Sequence, residues 1–483
     1  MKRFFKDAVG VTISKVVVSA ISIVYTMLLA RFRTLEDYGT YSELLLIVNI
    51  VSTVFFLGLP YSVNYFLPRS DSSEEKQKFI DTYLSTVITV GIFAGFIIIL
   101  MIPAWELYFS NANISAYWFF LLLFPLTKIL NTGADNIFIN FERVRLLIAY
   151  RLLHSVLQLA IVIIIELLGM SFRAYMFFYI VLEMVFSLFV VVFIRSQVGT
   201  IRYHIDKGFL KKILVFSIPL GLSSAVGAVN VEMDKLIIGR FLSTDELAIY
   251  ANASREMPVS LLSASFTTVL IPKLSKMIKD GKYRSAVNLW DKVTCFSFTI
   301  IIFFVFFFAC HARETMVLLY SDKYLSGYKV FIVYSNILVF QSAYFGIFLN
   351  VTGNTKYIFW GSLMSMLCNA VLNVICYFIF GFYGPAVSTL LCTTILAIYQ
   401  LAVTSRKINI NIKNMFTLKE YLYPLACAVS ISIVYEIIKK TAGIEILSVT
   451  QTIISGIIWF TVYASMNYGR MKRNILRLRN EEV

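Results

Sequence analysis

Charge is what this sequence has least of. Only 15% of its 483 residues are charged, against 59% hydrophobic, and the mean hydropathy is +0.77. A soluble domain carries roughly 25% charge, so the composition excludes an ordinary soluble protein and indicates a membrane protein. Histidine is scarce too. His154, His204 and His311 stand singly, which excludes HExxH and similar zinc motifs. The six cysteines (Cys295, Cys310, Cys368, Cys376, Cys392, Cys427) include no CxxC and lie in or beside apolar runs. They read as packing residues, with no metal site or disulfide framework. The N-terminal stretch MKRFFKDAVGVTISKVVV has no small-residue cleavage site, and Lys15 interrupts its apolar run. It reads as a retained first span. No run shows the ten-residue alternation of a barrel strand.

Long apolar runs are abundant. A spanning helix needs about 20 mostly apolar residues. Fourteen candidates occur, at roughly 8–30, 40–66, 80–102, 116–138, 147–168, 173–194, 213–238, 247–271, 288–310, 328–351, 357–380, 384–404, 420–438 and 445–468. The connections, about 4 to 19 residues long, leave no room for a soluble domain. The expected fold is an all-α integral membrane protein of about 14 transmembrane helices. The net charge of +15 does not imply nucleic acid, because the cations sit mostly in the connections, where they set topology and meet lipid headgroups. With a cytoplasmic N-terminus, 28 Lys and Arg fall in inside segments, 9 in outside segments and 6 within spans. This bias predicts an even number of spans with both termini cytoplasmic.

A phrase recurs. LLARFRTLEDYGTYSEL (28–44) and IIGRFLSTDELAIYANA (237–253) align at a shift of 209. Arg31 then falls on Arg240, Phe32 on Phe241, Tyr41 on Tyr250, and Glu36-Asp37 on Asp245-Glu246. Both arginines lie just past the outer end of a span, the first and the seventh. Two parallel six-helix halves are therefore expected, at 1–200 and 201–410, followed by two extra helices and a basic tail at 411–483. Transporters often build two such repeats around a central site.

The stretch VEMDKLIIGRFLSTDELAIYANASREMPVSLLSASFTTVLIPKLSKM (231–277) resembles the second-half signature of bacterial polysaccharide flippases. Those proteins belong to the multidrug/oligosaccharidyl-lipid/polysaccharide (MOP) exporter superfamily. The matching positions are Asp234, Ile238-Gly239, Tyr250-Ala251 and Pro272 to Ser275, continued by Asn369, Asn373 and Tyr383-Gly384-Pro385-Ala386. Leu247-Ala248 departs from the usual small residues before the Tyr. The resemblance implies a MATE-like fold in a bacterial cytoplasmic (inner) membrane. It also implies flipping of a polyprenyl-pyrophosphate-linked oligosaccharide by alternating access, for surface polysaccharide biosynthesis. The implied partners are the lipid-linked oligosaccharide, membrane lipids, and a polysaccharide polymerase and glycosyltransferases. No catalysis and no cofactor are expected, beyond H+ or Na+ as a coupling ion.

Charge within spans marks candidate sites, because an ion near the bilayer centre costs about 2.5–3.5 kcal/mol on insertion scales. Lys15, Lys128 and Arg255 lie too deep to snorkel and are expected to converge on a central cavity, where they would bind the pyrophosphate. Arg151, Lys235 and Lys292 lie near span ends and can snorkel. Glu43, Asp135, Glu166, Glu183 and Glu256 are the acids that could pair with cations or couple to an ion, and Glu183 lies deepest. Arg31, Asp234, Arg240 and Tyr250 are expected at interfaces or gates. Pro258, after Arg255, should kink its span. Asn350, Asn369 and Asn373 should bond between helices. A multidrug or cation exporter of the same superfamily would favour an acidic cavity. A membrane glycosyltransferase or polymerase would need a long, polar outside loop carrying catalytic groups.

Overall fold

The computed structural model describes residues 2–444, 446 and 448–480, with side chains at all of these except 2–9, 262 and 475–480. Every regular element among them is helical. The packing divides into two compact units, Met1–Ala248 and Ile249–Val483.

The first unit begins with α1 (Lys2–Phe32), α2 (Leu35–Phe55), α3 (Leu59–Phe66) and α4 (Ser73–Leu100). It continues with α5 (Ile102–Phe109), α6 (Trp118–Asn140), α7 (Val144–Leu167), α8 (Phe172–Val198) and α9 (Lys207–Phe241). Four of these helix starts carry short polar caps. Thr34 accepts from the Asp37 N–H, Ser72 from Glu75, Ser171 from Ala174 and Asp206 from Phe209. α4 and α6 approach closely because Gly91 and Gly95 repeat at four residues on one face. A Cβ at Gly95 would lie 2.1 Å from the Leu122 carbonyl oxygen. Phe79, Tyr83, Ile129, Phe138 and Val190 fill the adjoining core.

The second span is divided rather than continuous. Leu57 (φ 50°) and Gly58 (φ 69°) both adopt left-handed backbone, and Pro60 stands in the first turn of α3. At this break a Cβ on Gly58 would meet the Ser217 carbonyl oxygen at 2.2 Å, so α9 packs against the bend. That packing holds α9 in the first unit. The packing boundary at 248/249 is therefore distinct from the repeat boundary expected near 200.

α10 (Thr244–Ala253) straddles the division. The second unit then contains α11 (Ser260–Lys279), α12 (Tyr283–Cys310), α13 (Ala312–Tyr320), α14 (Tyr328–Gln341) and α15 (Ile347–Val351). It ends with α16 (Thr355–Phe380), α17 (Gly384–Ile408), α18 (Leu418–Thr441) and α19 (Val449–Asn480). Trp290 and Phe348 anchor one core, and Ile302, Trp459 and Tyr463 another.

Eleven described stretches are long and apolar enough to cross a membrane, and one of them, Thr355–Ile408, contains both α16 and α17. Two further spans expected to be single helices are divided. The eighth becomes α10 and α11, and the tenth becomes α14 and α15. Proline explains the first break, where a kink was expected. The residue before proline avoids helical backbone, and proline donates no N–H. Residues 254–259 thus leave the helix. Only Gly346, at the start of α15, marks the second break.

The repeated phrase acquires a structural purpose. In both copies an arginine ends one helix and a hydroxyl residue caps the next. Thr34 caps α2. At the equivalent position Ser243 accepts from the Glu246 N–H at 3.2 Å, while Glu246 accepts from the Ser243 N–H at 3.0 Å. This is a reciprocal capping box. Loops assigned to one side of the membrane also meet each other. Lys78 pairs with Asp206 at 2.9 Å, Arg33 with Glu166 at 3.4 Å, Arg470 with Glu420 at 3.0 Å and Lys439 with Glu314 at 2.6 Å.

Candidate functional site

Several charges of the first unit lie well inside its helices. Lys128 is ten residues into α6, about 15 Å along the axis at 1.5 Å per residue. Its ammonium donates to the side-chain oxygen of Asn49 on α2. The Asn49 amide donates to Glu232 of α9 at 3.1 Å. Glu232 in turn accepts from Lys235 at 2.8 Å. Three helices are thus joined through Lys128, Asn49, Glu232 and Lys235. With Glu232 matched by Lys235, the set sums to one positive charge, centred on Lys128.

Arg151 and Lys235 do not reach for headgroups as expected. Both find acids within the protein, because an ion pair satisfies a charge that the bilayer cannot. Arg151 pairs with Asp135 through two nitrogens, its Nε at 3.0 Å. Lys128 and Asp135 share a helix face without meeting. Glu43 is fully buried and accepts from Asn111 at 2.6 Å and from Thr244 at 2.8 Å. Glu183 accepts from Asn131, His154 and Gln158. Glu166 is the partner of Arg33. The acids expected to pair with cations therefore split. Asp135 and Glu166 do so, while Glu43 is held by neutral donors.

Lys15 is exposed on α1. Arg255, in the second unit, occupies the break between α10 and α11, with its N–H 3.3 Å from the Asn252 oxygen. Glu256 is exposed and accepts from Gln341 at 3.1 Å. Arg31 and Arg240 are both exposed at helix ends, and Arg240 donates to the Leu107 and Tyr108 carbonyls. Asp234 is buried in α9. Tyr41 bonds to Tyr25 at 3.0 Å, and its counterpart Tyr250 is buried edge-on to Phe382. Both are packing residues in their own units. Asn369 accepts from Ser388 across α16 and α17 at 2.9 Å. Asn373 breaks the expectation, since its side-chain nitrogen and oxygen are buried without a hydrogen-bond partner.

The sequence reading missed Asn49, Asn131, His154, Gln158 and Glu232. One signal was available. Arg151, His154 and Gln158 recur at helical spacing along an otherwise apolar run.

These features define a multi-pass membrane protein with the fold of the MOP exporters. The lipid II flippase MurJ, in an inward closed conformation, superposes with a TM-score of 0.73 over 95% of this chain and 98% of that one, at 15% identity. An inward-facing multidrug resistance MATE family transporter gives 0.62 over 81% and 94%, at 14% identity. Capsular polysaccharide biosynthesis protein CapF of Staphylococcus aureus is 21% identical over 333 residues, 68% of this chain and 79% of that one. The family described as "Polysaccharide biosynthesis protein" is matched over residues 28–329, and the chain belongs to it.

Proposed function

We propose that this chain is a flippase. It moves a polyprenyl-pyrophosphate-linked oligosaccharide from the inner to the outer leaflet of the bacterial cytoplasmic membrane, by alternating access, for surface polysaccharide assembly. It acts as a transporter and not a catalyst, with both termini cytoplasmic, alongside glycosyltransferases and a polymerase. One observation carries this reading. The Lys128 ammonium stands at mid-depth with a neutral direct partner, so its charge is available to an anionic headgroup. Lys15 and Arg255 are further cations offered to that headgroup. Family membership and the shared fold support the same assignment. With the cell interior negative, outward movement of an anion is favoured by about 2.3 kcal/mol per charge per 100 mV.

The test is export of surface polymer by cells that depend on this chain. Lys128→Ala should abolish export while the protein remains abundant in the membrane, and lipid-linked precursor should accumulate. Lys128→Arg should retain part of the activity, because a cation is kept. Normal export by a triple variant neutralised at Lys15, Lys128 and Arg255 would overturn anion capture.

A further inference from the structure

An uncharged polar ribbon leads away from Lys128 in the first unit. On α6, Lys128, Thr132, Asn136 and Asn140 recur every four residues and share one face. From Lys128 to Asn140 the ribbon is about 18 Å long, at 1.5 Å per residue. α3 lies along its far half. Asn136 donates to the Pro60 carbonyl at 2.8 Å. Asn64 of α3 donates to Asn136 at 3.1 Å and accepts from Asn140 at 2.7 Å. This ladder fixes the planes of three carboxamides. Each amide has two N–H donors and an oxygen that accepts twice, so the ladder occupies only part of what they offer. Asn64 and Thr132 are exposed, and Asn136 and Asn140 are half-buried. The Thr132 hydroxyl donates to its own helix at 2.7 Å, which leaves its oxygen free to accept.

An aromatic ring flanks the ladder. Tyr61 is 43% exposed, and its hydroxyl meets Ser224 of α9 at 2.9 Å. The ring is therefore held in place while its surface stays accessible. Tyr65, one turn on, is already engaged, with Phe216 stacked on it at 4.3 Å and Arg69 over it at 3.9 Å. Exposed amides on a spanning helix such as α6 are costly against lipid, so they face water or a polar ligand. Their chemistry narrows that ligand. A phosphate would call for cations, and a lipid tail for apolar walls. Neutral groups that both donate and accept, beside an open aromatic ring, match the hydroxyls and the apolar ring face of a sugar. Asp135, the acid next to the ribbon, is neutralised by Arg151.

We propose that this α3–α6 ribbon is the glycan-recognition surface of the flippase, an inference that rests on the flippase reading. With the pyrophosphate at Lys128, the first sugars extend along α6 toward Asn140. Their hydroxyls bond to Thr132, Asn136, Asn140 and Asn64, and one sugar ring lies against Tyr61. The sugars in these positions are neutral, because the ribbon has no charge to match an acidic or basic one. Its length suits an oligosaccharide rather than a single sugar.

Cells depleted of this chain supply the probe, which is the lipid-linked precursor that accumulates in them. Mild acid releases the glycan from part of it and leaves sugar-free polyprenyl pyrophosphate. Binding of both lipids to the full chain in nanodiscs is then measured. The precursor should bind about tenfold more tightly than the sugar-free lipid, as a few added hydrogen bonds would give. Asn64→Ala combined with Asn140→Ala should erase most of that preference. Thr132→Val and Tyr61→Ala alter exposed side chains outside the ladder, and each should narrow the preference several-fold. They keep the test decisive if the ladder variant fails to fold. Lys128→Ala should weaken both lipids alike. No preference in the wild type, or an undiminished preference in Thr132→Val and Tyr61→Ala, overturns the ribbon and leaves the flippase reading standing. Absence of accumulated precursor in the depleted cells overturns the flippase reading and the ribbon with it.

Discussion

Each unit carries a strap across one end of a spanning helix, α4 in the first and α12 in the second, and the two straps are pinned alike. In the first unit the extended segment 199–206 lies along α4. The Arg202 N–H donates to Asp81 at 3.0 Å, His204 to Ser85 at 3.0 Å and Asp206 to Thr82 at 3.4 Å. Alternate residues of an extended chain point the same way, which is why the even-numbered N–H groups meet the helix. In the second unit the Thr417 N–H donates to Asp291 of α12 at 3.1 Å, its hydroxyl donates at 2.6 Å, and Tyr421 adds a bond at 2.8 Å. Asp81 and Asp291 are each 6% exposed. They lie 210 residues apart, within one residue of the shift of the repeated phrase. The difference is in redundancy. The first strap is held by several helix side chains, and Lys78 and Gln77 add to them. The second depends on one carboxylate. Two segments without sequence likeness can thus share a device, because a buried acid needs donors and a strap offers its backbone.

The largest effect should come from breaking the less redundant strap. Asp291→Ala orphans the Thr417 and Tyr421 donors and should cost about 2–4 kcal/mol, from roughly 1–3 per buried donor left unpaired. Asp81→Ala should cost about 1–2 kcal/mol by the same rule, because Ser85 and Thr82 still hold the strap. Trypsin reads both straps, since Arg202 lies in one and Lys413 in the other. Cleavage near Lys413 should rise sharply in Asp291→Ala, and cleavage at Arg202 only modestly in Asp81→Ala. Equal responses would show that redundancy is irrelevant.

A smaller contrast concerns the opposite helix ends. The first unit closes there through Arg33, Glu166 and the Met170 carbonyl. The second uses His311 against Ser455 at 2.8 Å, beside Glu314 and Lys439. Burial pushes the His311 ring down to about 4, against a partial upward pull from the Phe307 carbonyl and Glu314. A depressed histidine stabilises the fold above its unfolded value of about 6.5 and loses that contribution as pH falls toward 4. Acidification from about pH 7 to 5 should therefore loosen this end of the second unit and spare that of the first. Hydrogen exchange in α13 and α19, against α7 and α8, measures this.

The smallest effect should be at Asp206. The Phe209 N–H, and then Lys78, hold its carboxyl below the usual range. A depressed acid contributes above its unfolded value of about 3.9 and loses that contribution as pH falls through the folded one. Asp206→Asn keeps the capping oxygen and should change melting only slightly at neutral pH. A large drop would mean that the Lys78 pair, not the cap, secures the first strap.

The candidate site was half legible. Lys128, Asp135, Glu183 and Glu43 announced themselves as charges inside apolar runs. Their partners did not, since Asn49, Asn111 and Gln158 are neutral residues that spanning helices use freely. Glu232 was hidden by its nearness to Asp234 and Lys235, which already drew the eye.

Composition by itself determined that this is a helical membrane protein. Twenty-residue apolar runs have few other folds in lipid, because every backbone polar group must be satisfied within the segment. The repeated phrase determined where two capped helices begin. Only the tertiary structure decided which charges neutralise one another. Arg151 takes Asp135, Lys235 takes Glu232, and Lys128 is left with the neutral Asn49. That choice depends on which helix faces meet, through close approaches such as Gly95 on Leu122 and Gly58 on Ser217. Contacts between helices distant in sequence leave no local periodicity to read.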